Sequence, residues 1–225
     1  MQSLRIIDKE TDLQILADKK IDKDFIRQRI GLYRRQIEAY IAKDPRFLTS
    51  LKPIAVELGA PLIVREMSEQ TKKANVGPMA SVAGAIAQAV GKDLLKKGHK
   101  EVIIENGGDI FIKTKKIRSV GLYAGRSRLW RSLRLKIKPA DTPLGICTSS
   151  GAIGHSLSFG SADSVVILAK DASLADAAAT ATCNRVQSKG DLQKALDFAR
   201  VINGVVGIAV IFKKNLIAWG KVEFF

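Results

Sequence analysis

At 225 residues, with 46% hydrophobic side chains, the chain can bury a sizeable core and fits a single domain spanning 1–225. Its 37 basic against 22 acidic side chains give a formal charge of +15, which favours anionic partners: phosphate-bearing cofactors, nucleic acid or an acidic protein. Two cysteines without CxxC spacing and two histidines argue against a zinc cluster or a disulfide framework, and the absence of about 18 consecutive apolar residues argues against a membrane span.

The N-terminus, Met1 to Asp8, lacks the apolar region of a signal peptide, so a cytoplasmic location and no membrane contact are expected. Two short β-like runs follow, Leu4 to Ile7 and Leu13 to Leu16. A helix then starts after Asp22 and runs to about Lys43, where Asp44-Pro45 stops it. Its apolar positions Ile26, Ile30, Tyr33, Ile37 and Tyr40 step by four and three. The resulting stripe suits either the core or a subunit interface in a homo-oligomer. Residues 45 to 75 read as a connection plus a helix from Pro61 to about Lys73, completing an N-terminal part over 1–75. The remaining 76–225 carry the motifs.

After Gly77-Pro78 comes a helix with an unusually small face: Ala80, Ala83, Gly84, Ala87, Val90 and Gly91. Such a face lets a helix lie close to a sheet, or lets backbone line a ligand pocket. From Lys100 strands dominate, expected at about 101–105, 109–114, 118–123, 131–138 and 143–148. A strand at 163–169, helices at 173–185 and 190–200, and a hairpin at 205–212 and 215–220 complete the chain. Strand runs followed by helix runs, without strict alternation, place it in the α+β class. Basic residues cluster at Arg27, Arg29, Arg34 and Arg35, and again from Lys113 to Lys138, where they alternate with apolar side chains as on the solvated face of strands.

Two segments carry chemistry. Asp176 and Thr180 lie four residues apart in the helix former Ser173 to Thr182, about one turn, so they share a face. Two hard oxygen ligands among small residues suit a partly hydrated Mg²⁺ held against a phosphate. The structural alternative is an Asp in the first turn near Ser173, with Thr180 bonding back along the helix. The second segment is Glu105-Asn-Gly-Gly-Asp-Ile110, a Gly-Gly pair between strand-like runs. It is either a plain hairpin turn or a turn that presents Asn106, Gly107, Gly108 and Asp109 to a ligand. Cys147 and Cys183 both adjoin these motifs and read as small core thiols.

Together, Asn106-Gly-Gly-Asp-Ile110, then Thr148-Ser149-Ser150-Gly151, His155 and Ala175 to Thr180 resemble, in order, the motifs of the ApbE family. The resemblance covers roughly residues 75 to 220. Those proteins are Mg²⁺-dependent flavin transferases that move FMN from FAD to a protein threonine. The resemblance implies a duplicated T-fold-like arrangement of antiparallel sheets with packed helices. It also implies Mg²⁺ and FAD or another flavin nucleotide as cofactors, with Asp176 and Thr180 as metal ligands. Asp176 and His155 would be catalytic. Asn106 to Asp109, Thr148 to Gly151, and Met79, Ala80 and Ser81 would border the nucleotide. A small nucleotide-like molecule and an acceptor protein are the implied partners.

The sequence departs from the family pattern at three places. Ser81 stands where the family has a lysine, the loop from Gly154 to Gly160 is short and lacks a proline, and Ser150 is inserted in the Thr-Ser-Gly element. The competing reading is a non-enzymatic binding protein that uses its basic surface for nucleic acid or an acidic partner. Only 6% aromatic residues and no RNP-like stacking motif speak against nucleic acid.

Overall fold

The computed structural model describes residues 1–122, 130, 132–151 and 160–225. The chain opens with a hairpin, β1 (Gln2–Asp8) and β2 (Thr11–Ala17), and goes into helices α1 (Lys23–Lys43), α2 (Arg46–Thr49), α3 (Leu62–Ala74) and α4 (Val82–Lys96). It returns as a second hairpin, β3 (Val102–Asn106) and β4 (Asp109–Lys113). After a small separate hairpin, β5 (Arg118–Gly121) and β6 (Arg134–Ile137), the same pattern recurs. A hairpin β7 (Leu144–Ser149) and β8 (Ser164–Ala169) leads into α5 (Ala172–Cys183) and α6 (Leu192–Arg200), and β9 (Val205–Phe212) and β10 (Asn215–Gly220) close the chain.

The eight long strands form one antiparallel sheet ordered β1-β2-β3-β4-β7-β8-β9-β10. Each half is thus hairpin, helices, hairpin, and the halves join where Ile110 to Ile112 of β4 pair with Leu144 to Ile146 of β7. This is the duplicated α+β architecture expected from the family resemblance. β5 and β6 are shorter than the runs 118–123 and 131–138 read from sequence, and part of each run falls outside the described residues.

Strand alternation divides the sheet into two faces. Ile104, Phe111, Val165, Ile167, Ile208 and Val210 face the helices, whereas Ile112, Ile146, Val166 and Leu168 face the β5–β6 hairpin. The helix α1 begins at an Asp22 cap, whose carboxylate accepts the N–H of Asp24 and Phe25, a contact worth about 1 kcal/mol. Its apolar stripe, Ile26, Ile30, Ile37 and Tyr40, is buried within the chain. That stripe is consumed by the core and offers no subunit interface. Tyr33, at the stripe's margin, turns its hydroxyl to Asp93 at 2.6 Å alongside Arg29.

The helix α4 begins after a 3₁₀ turn, Pro78–Ser81, rather than at Ala80. Its small residues are there for contact. A Cβ on Gly84 would lie 2.3 Å from the carbonyl oxygen of Ala172, and one on Gly91 would lie 2.2 Å from the Phe111 ring. Gly145 of β7 approaches Ala172 in the same way, at 2.4 Å from its Cα. The start of α5 is therefore wedged between α4 and the sheet, with no room for side chains at the crossing. Replacing Gly84 by Ala should destabilise the protein by about 1–3 kcal/mol through overpacking against backbone. Gly59→Ala, where nothing lies within 4 Å of the added carbon, should stay within about 0.5 kcal/mol. Urea unfolding of the two variants measures the difference.

Candidate functional site

The β3–β4 turn, α4 and α5 meet at one end of the sheet. Asn106 and Asp109 pair across a two-residue turn in which Gly107 and Gly108 have φ of 62° and 103°. Positive φ at both central positions is what a tight hairpin of this hand needs, and glycine adopts it without steric cost. The turn fixes Asp109 on the helix-facing side of β4. There it lies beside Cys147 of β7 and close to Asp176 of α5.

The helices α4 and α5 cap one another. Ser81 holds the N-cap position of α4 but makes no capping bond; its hydroxyl donates to the Pro78 carbonyl at 2.8 Å. The free N–H of Gly84 donates instead to Oδ2 of Asp176, at 3.0 Å. In return, the Gln88 side chain of α4 accepts the N–H of Ala172 at 2.8 Å and donates to Asp171. Asp171 is itself the N-cap of α5, accepting the Leu174 N–H at 3.0 Å. Neither Ser173 nor Asp176 caps α5, and the bond back along that helix is made by Thr182 to Ala178, at 2.6 Å.

The electrostatics of this junction are unusual for a chain of charge +15. Asp109 and Asp176 are 8% and 6% exposed. Burial pushes the Asp109 carboxyl up to about 7; N–H and S–H donors at Thr148 and Cys147 oppose this, and the Glu105 charge adds to it. Burial likewise raises Asp176 well above the ordinary carboxylate range, followed by the charge of Asp109, while the N–H groups of Gly84 and Ala83 pull it back. The Cys147 thiol is raised by burial and then by both carboxylates, and its Sγ lies 3.3 Å from the Ala172 carbonyl. Asp109 Oδ1 is buried without any hydrogen-bond partner. Such an atom is costly unless something donates to it or binds it.

The remaining sequence candidates divide sharply. Asn106 is tied to backbone at both ends of its amide: it donates to Ala83 O at 3.2 Å and accepts from Asp12 N at 3.3 Å. Met79 and Ala80 are half-buried, and Ser81 is fully buried. Where the family has a lysine, Ser81 therefore turns inward and supplies no charge. Thr148 points to the hairpin side of the sheet, Ser149 and Ser150 are buried, and the Gly151 N–H donates to Ala162 O at 2.9 Å. Thr180 is 6% exposed, one turn after Asp176 on α5. His155 lies outside the described residues. Sequence reasoning missed Gln88 and Asp171. A lone amide in an otherwise small, apolar helix and an Asp just before an Ala-rich run were the available signals.

Asp109, Asp176 and Thr180 are hard oxygen donors, and the unbonded Oδ1 gives a cation a reason to enter, so the donor chemistry fits Mg²⁺. Among the described residues no group of three His, Cys, Asp or Glu side chains could hold a metal alone. Water, backbone or ligand oxygens would have to complete a coordination shell.

The fold and this carboxylate-lined junction define an ApbE-like α+β protein. The fold is similar to that of the Pseudomonas stutzeri flavinyl transferase ApbE, over 97% of this chain and 94% of that one, with a TM-score of 0.65 at 13% identity. Flavin transferase ApbE from Vibrio cholerae gives a TM-score of 0.62 at 14% identity, covering 97% of this chain and 96% of that one. The chain belongs to the ApbE-like family: the family model described as AbpE bacteria matches residues 1–214. It is also 43% identical to a UPF0280 protein of Methanocaldococcus jannaschii, over 97% of this chain and 90% of that one. A UPF0280 protein of Methanospirillum hungatei is 44% identical over 95% and 86%. Among the described residues, no helix is long and apolar enough to cross a membrane.

Raised carboxyl pKa values carry a stability consequence with a definite sign. In the folded, metal-free protein Asp109 keeps its proton up to about pH 7, whereas the unfolded chain releases it near the ordinary value of 3.8. The folded state binds more protons in that window, so stability falls as pH rises from about 4 to about 7. Denaturant unfolding in EDTA across this range should show the decline, and Asp109→Asn should make it shallower while leaving the part due to buried Asp176.

Proposed function

We propose that the chain binds a flavin nucleotide such as FAD, together with Mg²⁺, where the β3–β4 turn meets α4 and α5. The observation that carries this reading is the unpartnered Asp109 Oδ1 beside Asp176, two buried carboxylates whose mutual repulsion a divalent cation would relieve. Asp109, Asp176 and the Thr180 hydroxyl are the residues that would hold the ion. When bound, Mg²⁺ would neutralise charge on the pyrophosphate oxygens. Gly107 and Gly108, with nothing within 4 Å of either missing side chain, leave backbone open to the ligand. Of the Thr148 to Gly151 element, Ser149 shares the helix-facing side of β7 with Cys147, whereas Thr148 faces the opposite side; His155 is the candidate for proton transfer or phosphate contact.

A transferase on this plan would pass FMN from FAD to the hydroxyl of an acceptor protein and release AMP. The inward-turned Ser81 removes one family feature from that chemistry, so binding and transfer are separate questions. Part of the basic surface is engaged within the chain: Arg29, Arg34, Arg118, Lys136 and Lys138 each face one of its own carboxylates.

Calorimetric titration with FAD, FMN and ADP, each with and without Mg²⁺, tests the binding step. Mg²⁺-dependent FAD binding should be about ten-fold or more weaker in Asp109→Asn and in Thr180→Val. Asp176→Asn should lose binding and also lower the melting temperature, because it weakens the cap on Gly84. Equal FAD affinity with and without Mg²⁺ in the unmodified protein would refute the assignment.

A further inference from the structure

A second compartment lies on the opposite face of the sheet from Asp109 and Asp176. The β5–β6 hairpin stands off the sheet there and borders an open cleft of about 540 Å³, within the range of roughly 300–1,000 Å³ usual for small-molecule sites. Leu16, Ile103, Ile110 and Ile146 wall it from the sheet, and Ile117 and Val120 wall it from the hairpin side. Thr148 and Gly108 also line it.

Two charged side chains line this cavity, Glu105 and Arg118, together with Met1 and its terminal amine, and the two side chains differ in kind. The Arg118 guanidinium is spent: it meets Glu101 at 2.8 Å and Thr114 Oγ1 at 3.1 Å. Glu101 in turn is held down at about 2, by Arg118 first and by donors at Lys115 and Thr114. Glu105 is exposed and forms no hydrogen bond or ion pair among the described residues. Its neighbours across the ladder are Gln14 and Ile110, so no cation stands directly opposite it in the ladder among the described residues, and the Gln14 amide donates to Ser3 Oγ at 2.8 Å. On a chain with 37 basic side chains, an unpaired carboxylate at the lip of an aliphatic cavity is out of keeping with its surroundings.

We propose that this cavity binds a small apolar molecule bearing a cationic amino group, with the body against the aliphatic walls and the amine on Glu105. Aliphatic walls supply area without directional preference. The carboxylate supplies the selection, since beside a low-dielectric wall it attracts an ammonium and repels an acid of the same shape. The site goes beyond the nucleotide reading and does not depend on it, because neither the carboxylate cluster nor a metal takes part.

Tryptamine and indole-3-propionate, which share a ring and a two-carbon arm but differ in the sign of the terminal charge, are suitable probes. Calorimetry without nucleotide or Mg²⁺ should show tryptamine binding about ten-fold or more tighter than the acid. Glu105→Gln should bring the two within about three-fold of each other. Val120→Trp, which fills the cavity from the hairpin side, should abolish tryptamine binding with the circular dichroism spectrum unchanged. Equal binding of the two probes, an undiminished preference in Glu105→Gln, unaltered tryptamine binding in Val120→Trp, or no saturable tryptamine binding would each overturn the proposal.

Discussion

The reciprocal capping of α4 and α5 is the constraint on which the rest of the architecture depends. Each helix leaves free N–H groups at its start, and those of Gly84 and Ala172 are buried, so water cannot satisfy them. The solution is an exchange: Asp176 of α5 takes the Gly84 N–H, and Gln88 of α4 takes the Ala172 N–H. This exchange requires the two helices to touch, which explains why Gly84 and Gly145 press on Ala172 from two sides. Because α4 precedes β3 and α5 follows β8, the contact also ties the two halves of the duplicated sheet together.

The same arrangement sets the electrostatics. A carboxylate recruited to cap a buried helix start must itself be buried, and Asp109 is placed nearby by the tight turn at Gly107-Gly108. Two partly compensated carboxylates in a small space hold protons that surface carboxylates would release. Asp176 therefore has a structural duty at its Oδ2 whatever else it does, and Asp109 Oδ1 has none. In that sense Asp109, rather than Asp176, is the residue whose position structure alone does not explain.

The sheet separates two environments with different chemistry. On the helix side, small residues and buried oxygen atoms crowd around the turn; on the hairpin side, aliphatic walls surround an open volume. Alternation along single strands makes the division. Cys147 lies with the carboxylates while Thr148, the next residue, borders the cavity. Gly108 and Asp109 divide in the same way at the end of β4.

Much of this was legible in the chain itself. The Asp22 start and Asp44-Pro45 stop of α1, the Gly-Gly turn, and the four-residue, one-turn spacing of Asp176 and Thr180 are local matters of backbone preference, so sequence determined them directly. Motif order added the α+β family fold. What sequence could not reveal was which groups meet across long separations. The stripe of α1 was equally suited to core or interface, and packing decided for the core. Ser81 looked like a ligand-facing position until the Pro78 carbonyl claimed its hydroxyl. Gln88 and Asp171 carried almost no signal, because their partners lie 84 residues away or at a helix start defined only by the fold. Local propensity acts within a turn of chain, whereas capping, burial and carboxylate pairing arise only when remote segments exclude water together, and that the tertiary structure alone decided.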